Sequence, residues 1–166
     1  MTQISQKLAS DAKRYLSPPQ DALVNDVLTV LDRLEQNHLN DYSFIVAPIS
    51  KAYEGYLKDF FLKTNIIDKY SYESDRFRVG KTLNPSLRYK RFSIYQKLAN
   101  LSQEGEELAE KLWTAWKYGR NEIFHYFPNN IKNLSRAEAE DRIAMLLNTI
   151  ISSGIFYKKY LDGNLL

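Results

Sequence analysis

The sequence predicts an all-α protein, a bundle of five or six helices in a single domain spanning residues 1–166. Apolar residues recur at i, i+3, i+4 and i+7 through most of the chain. No stretch shows the strict alternation of a half-buried strand, and no internal repeat or low-complexity run intervenes. At 166 residues, with 44% hydrophobic and 26% charged side chains, the chain can bury one real core and does not have the composition of a disordered one.

The elements follow in order. Ile4, Leu8, Ala12 and Tyr15 or Leu16 keep helical spacing over residues 2–16, and Ser17-Pro18-Pro19 stops that short N-terminal helix. Pro19 suits a first helical turn, and Leu23, Val27, Val30 or Leu31, and Leu34 mark one face of a helix over 22–39. His38, near its end, reads as a surface residue where a cation is mildly favoured rather than as a second catalytic or metal-binding imidazole. A core helix follows over 42–63, interrupted by Pro48 and best continuous from Ile49 through Tyr53, Tyr56, Leu57, Phe60 and Phe61. Within it Glu54 stands four residues before Lys58, a local ion pair by spacing, yet it is also a carboxylate flanked by Tyr53 and Tyr56.

Residues 64–92 break the helical rhythm and read as a basic, aromatic connection. Arg76, Arg78, Lys81, Arg88, Lys90 and Arg91 stand there with no acid between Arg76 and Arg91, interleaved with Phe77 and Tyr89. Cations for phosphates and rings for unpaired bases are what a single-stranded polynucleotide asks for. A solvated connection whose charges offset acids elsewhere accounts for the same residues equally well. Gly80-Lys81-Thr82 does not complete a phosphate-binding loop, because Asp75 stands where that pattern needs glycine. A short helix over 92–101, closed by Ser102 to Gly105, leads to the principal helix from about Glu106 to Pro128. Ser135 and Glu138 form a capping box for a last helix running to about Tyr160, and the tail from Asp162 reads as frayed. The main body of the domain is thus expected over about 20–160.

Composition excludes some chemistries. The chain has no cysteine, which rules out disulfides, thiolate nucleophiles and cysteine-ligated metals. No apolar run is long enough to span a membrane and the N-terminus lacks the apolar region of a signal peptide, so a cytoplasmic location is expected, with no membrane partner. A net charge of +3 is too small to argue for nucleic acid, and only its distribution does so.

The chemistry concentrates between Trp113 and Pro128, where six aromatic residues, Arg120 and His125 share sixteen positions. A guanidinium among rings loses hydration unless an anion meets it. Either a carboxylate elsewhere in the chain, with Glu54 the candidate, or a ligand phosphate fills that role. Histidine is the side chain most often used as a general acid or base, and this stretch offers His125, with Asn121 one turn before it. Arg120 is five residues from His125, roughly 140° round an ideal helix, so the two can border a common cleft at the helix end or meet across a two-fold axis. A packed histidine and an arginine stacked on tryptophan is the structural alternative.

Arg120-Asn121-Glu122-Ile123-Phe124-His125 resembles the signature of the HEPN superfamily of helical ribonucleases, an arginine and a polar residue followed after a short gap by a histidine. Together with Lys51-Ala52-Tyr53-Glu54-Gly55-Tyr56-Leu57 and Val79-Gly80-Lys81-Thr82-Leu83, it is similar to the catalytic part of the RNase LS toxins of toxin–antitoxin systems over roughly residues 45–160. The resemblance implies a HEPN-like bundle, a homodimer with a cleft between protomers, and RNA cleavage needing no metal or other cofactor. The 2′-hydroxyl would attack the adjacent phosphate to leave a 2′,3′-cyclic phosphate and a 5′-hydroxyl. It assigns proton exchange to His125, charge stabilisation to Arg120, orientation to Asn121 and the upstream acidic and basic positions to Glu54 and Lys51. A toxin or anti-phage role with an antitoxin partner goes with the resemblance, although the N-terminal domains of the full toxins have no counterpart in this chain. The alternative is a HEPN-type RNA-binding or dimerisation module without turnover.

Overall fold

The computed structural model describes residues 4, 6–34 and 39–159, and among these all regular structure is helical. The helix α1 (Gln6–Lys13) lies on the last long helix, α9 (Arg136–Tyr157), while α2 (Pro18–Arg33) pairs with α3 (Ser43–Lys63), and α3 in turn packs on α9. The short α6 (Ile94–Ala99) rests on α7 (Gln103–Trp116), which also reaches α9. The core therefore lies around α3, whose Ile45, Ile49, Tyr53, Leu57 and Phe61 are fully buried. Two phenols cross this core with their hydroxyls satisfied. Tyr53 donates to the Leu112 carbonyl at 3.1 Å, and Tyr56 meets the Ile150 carbonyl and Ser153 Oγ at 3.2 and 2.8 Å. Burial pushes both phenols above their ordinary pKa, so they stay protonated.

Several boundaries differ from those the sequence suggests. After Lys13, α1 unwinds through tighter bonds from Tyr15 N–H to Ala12 and from Leu16 N–H to Lys13, because the residues before Pro18 are pushed out of helical geometry. Helix α2 begins at Pro18 rather than Ala22: both prolines occupy the first turn, where a missing N–H costs little, and the Ser17 N–H donates to Gln20 Oε1 at 3.0 Å. It ends at Arg33 rather than running to 39. Arg136 there donates to the carbonyls of Leu31 and Leu34 at 3.0 and 2.7 Å, closing α2 from the first residue of α9. His38, Tyr160 and the tail lie outside the described residues. Pro48 does not interrupt α3; it removes one intrahelical bond near the start, and the buried face on both sides holds the helix together.

The stretch 64–92 is not a plain connection. It folds into α4 (Lys69–Glu73), α5 (Val79–Leu83) and a 3-10 turn at Pro85–Leu87. Val79, Thr82 and Leu83 are buried, and α5 packs on α7. The signal is easily missed because five-residue helices show barely one turn of periodicity. Ser102 to Gly105, expected to close α6, instead open α7: Ser102 Oγ accepts the Gly105 N–H at 3.0 Å. The Ser135–Glu138 capping box of α9 is present, with the Ser135 N–H donating to Glu138 Oε2 at 2.8 Å. No helix among the described residues is long and apolar enough to cross a membrane.

The principal helix departs most from expectation. Beyond Trp116 it widens into a π-helical turn over Lys117–Asn121, resumes as α8 (Glu122–Phe124), and stops there rather than at Pro128. Within the wide turn Gly119 lies against Leu146 of α9, so closely that a Cβ would sit 2.6 Å from Leu146 Cδ2. The Ser50 hydroxyl of α3 donates to the Gly119 carbonyl.

Candidate functional site

Arg120 lies in the wide turn, and its surroundings form the most unusual polar arrangement of the molecule. Its guanidinium stands 5.3 Å from the Trp116 ring centroid and 5.0 Å from that of Phe124, a cation between two π-faces. Glu54 of α3 faces it, with Nη2 3.5 Å from Oε2 and both side chains about a third exposed (32% and 33%). The carboxylate partner considered for Arg120 on sequence grounds is therefore the one it meets. At 3.5 Å the contact is an ion pair longer than a charge-assisted hydrogen bond. Arg120 Nε is buried with no acceptor, and the side chain as a whole borders two clefts.

The first cleft, about 380 Å³, is bordered by Arg78, Gly80, Lys81, Trp113, Arg120 and Asn121, with Glu54 at its edge. The second, about 460 Å³, shares Arg120 and Glu54 with the first and is completed by Lys51, Phe124 and the apolar Leu23 and Pro48. Four of the five residues expected to act together, Arg120, Asn121, Glu54 and Lys51, therefore converge on adjoining clefts. His125 lines neither of them. It is exposed and follows α8 in an extended conformation (φ −108°, ψ 129°), so the argument that places Asn121 and His125 on one helical face does not hold. The 140° separation expected for Arg120 and His125 also loses its basis, because a π turn and an extended residue intervene.

The basic stretch divides. Arg78 and Lys81 line the first cleft, both exposed, with Lys81 Nζ 5.0 Å from the Phe92 ring. Arg88 is committed elsewhere: it pairs with Glu106 at 3.0 Å, donates to Gln96 at 2.9 Å and stacks 5.1 Å from Tyr95. Arg76, Lys90 and Arg91 are exposed and border neither cleft, Lys90 lying 4.9 Å from Tyr89. Six basic residues adjacent in sequence thus act as two cleft cations, one structural clamp and three surface charges.

Some contributors are not apparent from sequence. Gly80, weighed only as a phosphate-loop residue, lies under the Trp116 indole: a Cβ there would stand 2.2 Å from Nε1. Asn84 and Leu87 also border the first cleft, and only the turn signal Asn84-Pro85-Ser86 hints at them. Asp41 organises the far end of α3. Its carboxylate accepts from the Ser43 N–H and hydroxyl at 2.9 and 2.6 Å, from the Leu134 N–H at 3.2 Å and from Asn130 Nδ2 at 3.3 Å. Partial burial acts to raise its pKa, but the hydrogen bonds from Ser43, Leu134 and Asn130 outweigh that and hold it below the usual carboxylate value. Among the described residues no group of three or more His, Asp or Glu is placed to hold a metal ion. Comparison with protein-family models, curated proteins and solved structures finds no match to this chain.

Proposed function

We propose that the chain is a HEPN-like endoribonuclease that cleaves single-stranded RNA without a metal and acts as a homodimer, as a toxin or anti-phage defence effector in the cytoplasm. The observation that carries the reading is the state of Arg120: stacked on Trp116 and Phe124, loosely paired with Glu54, and partly exposed beside two clefts. Such a guanidinium is oriented before a phosphate arrives, and its exposed part can meet one. In the proposed reaction Arg120 stabilises the charge of the phosphorane, Glu54 positions Arg120, and Asn121 and Lys51 contact the substrate in the adjoining clefts. His125 takes the proton of the attacking 2′-hydroxyl or returns one to the leaving 5′-oxygen. That it lines neither cleft favours a composite site in which the histidine of one protomer serves the arginine of the other. Exposed apolar side chains at that end of the bundle, Phe44, Phe124, Tyr126 and Ile131, supply surface that a second copy would cover.

Labelled single-stranded RNA incubated with the protein in EDTA tests the proposal. Cleavage to 2′,3′-cyclic phosphate ends, lost in both Arg120→Ala and His125→Ala, supports it. Cleavage surviving both substitutions overturns the assignment of these residues. Salt-sensitive binding without cleavage would favour the second reading, an RNA-binding or dimerisation module, which the cations Arg78 and Lys81 beside Arg120 also serve.

A further inference from the structure

The cleft beside Arg120 has an aromatic wall that the phosphate chemistry leaves unused. Of the two tryptophans, Trp116 is only 4% exposed, with Gly80 pressed against its indole and the Arg120 guanidinium stacked over its ring. It has no open face. Trp113, one turn earlier on α7, packs against the core yet lines the cleft, and among the described residues no ring or cation stacks on it. Leu87 extends the apolar wall, and Asn84 uses its side-chain oxygen on the Ser86 N–H at 2.9 Å, which leaves its NH2 group as a donor. An indole with no stacked ring or cation, an amide donor and the cations Arg78 and Lys81 thus share one cavity. Its 380 Å³ falls near the lower end of the range for small-ligand pockets, roughly 300–1,000 Å³, room for one nucleotide and not for a duplex.

We infer that Trp113 is the stacking platform of a subsite for one unpaired nucleobase of a single-stranded RNA, adjacent to the phosphate position at Arg120. Every base has a π-face, so the platform selects unpaired over paired RNA, and Asn84 favours bases presenting a carbonyl. The inference deepens the ribonuclease reading by naming what the cleft recognises, and it stands or falls on binding instead of turnover.

The test uses a 2′-O-methyl oligouridine, which binds but cannot be cleaved by 2′-hydroxyl attack, and a matched strand with abasic positions. Trp113→Phe keeps a ring, Trp113→Leu keeps apolar volume without one, and circular dichroism with thermal melting establishes that both are folded. Affinity for the oligouridine should fall about 5- to 100-fold in Trp113→Leu and little in Trp113→Phe, the loss expected when one stacked ring is removed. The abasic strand should bind wild type and Trp113→Leu alike. Equal affinity of the oligouridine for wild type and Trp113→Leu, or an equal loss on the abasic strand, overturns the inference even if the wild type cleaves RNA normally. A Trp113-dependent affinity in a protein that cleaves nothing upholds the subsite and defeats the ribonuclease reading instead.

Discussion

The hydroxyl of Ser50, on α3, donates to the carbonyl of Gly119, in the wide turn that carries Arg120. The same hydroxyl lies 3.0 Å from the Val46 carbonyl of its own helix, so one small side chain joins the core helix to the candidate site. Both residues are buried, and no water can replace the bond. Ser50→Ala should therefore lower stability by about 1–3 kcal/mol, the cost of an unsatisfied buried carbonyl. Urea unfolding measures it, and a variant as stable as wild type would show that the turn does not depend on this contact.

Arg120 and Glu54 should separate function from stability. Their side chains are about a third exposed (32% and 33%), where an ion pair contributes at most about 1 kcal/mol. Arg120→Ala should thus melt within a few degrees of wild type while RNA cleavage falls roughly 100- to 1,000-fold, as when a preorganised donor to a developing charge is removed. Arg120→Lys should recover little, since a lysine ammonium presents neither the planar fork nor the same stacking. Melting curves beside initial cleavage rates decide the matter, and a large loss of stability with cleavage retained would make Arg120 a structural residue.

Gly80→Ala probes the close approach of α5 to α7. The new Cβ would lie 2.2 Å from Trp116 Nε1, and Trp116 is buried, so α5 must retreat. A destabilisation of roughly 1–3 kcal/mol is expected, the range for overpacking. Trp116 fluorescence should change as its cover lifts, read in a Trp113→Phe background so that a single indole reports. An unchanged spectrum and midpoint would mean that α5 is held more loosely than the contact implies.

Asp41 makes a pH prediction. Its native pKa lies below the unfolded value of about 3.8, so its bonds to Ser43, Leu134 and Asn130 stabilise the fold fully above that value. The contribution disappears as pH falls from about 3.8 through the lower native pKa. Asp41→Asn should cost about 2 kcal/mol at pH 6, as for hydrogen bonds to a charged group, and the difference from wild type should shrink as pH is lowered below 4. Unfolding free energies at both pH values check the sign; a gap that widens on acidification would contradict it.

The long helices were legible because their periodic faces are also their buried faces: Ile49, Tyr53, Leu57 and Phe61 mark α3 in the sequence and in the core alike. Glu54 was a candidate partner for Arg120 by charge logic, a carboxylate set between Tyr53 and Tyr56 on a core helix, and it is the carboxylate that Arg120 meets. The π turn was not legible. Lys117-Tyr118-Gly119-Arg120-Asn121 has no residue forbidden to an α-helix, and what accompanies the widening is tertiary, Leu146 against Gly119 and Ser50 at its carbonyl. The division of the basic stretch was hidden for the same reason. Arg88 differs from Arg78 only through Glu106 and Gln96, which approach from other elements.

The wide turn counts as one residue more than a regular helix would hold over the same length. Were all five residues Lys117–Asn121 wound as ordinary α-helix instead, everything after them would swing by about 100° about the helix axis. Helix α8 would lose its place against α3, and the extended residue His125 would leave the bundle on another side. The extra residue is thus absorbed at a single point, and the wide turn sets the direction in which the protein presents its histidine relative to α7.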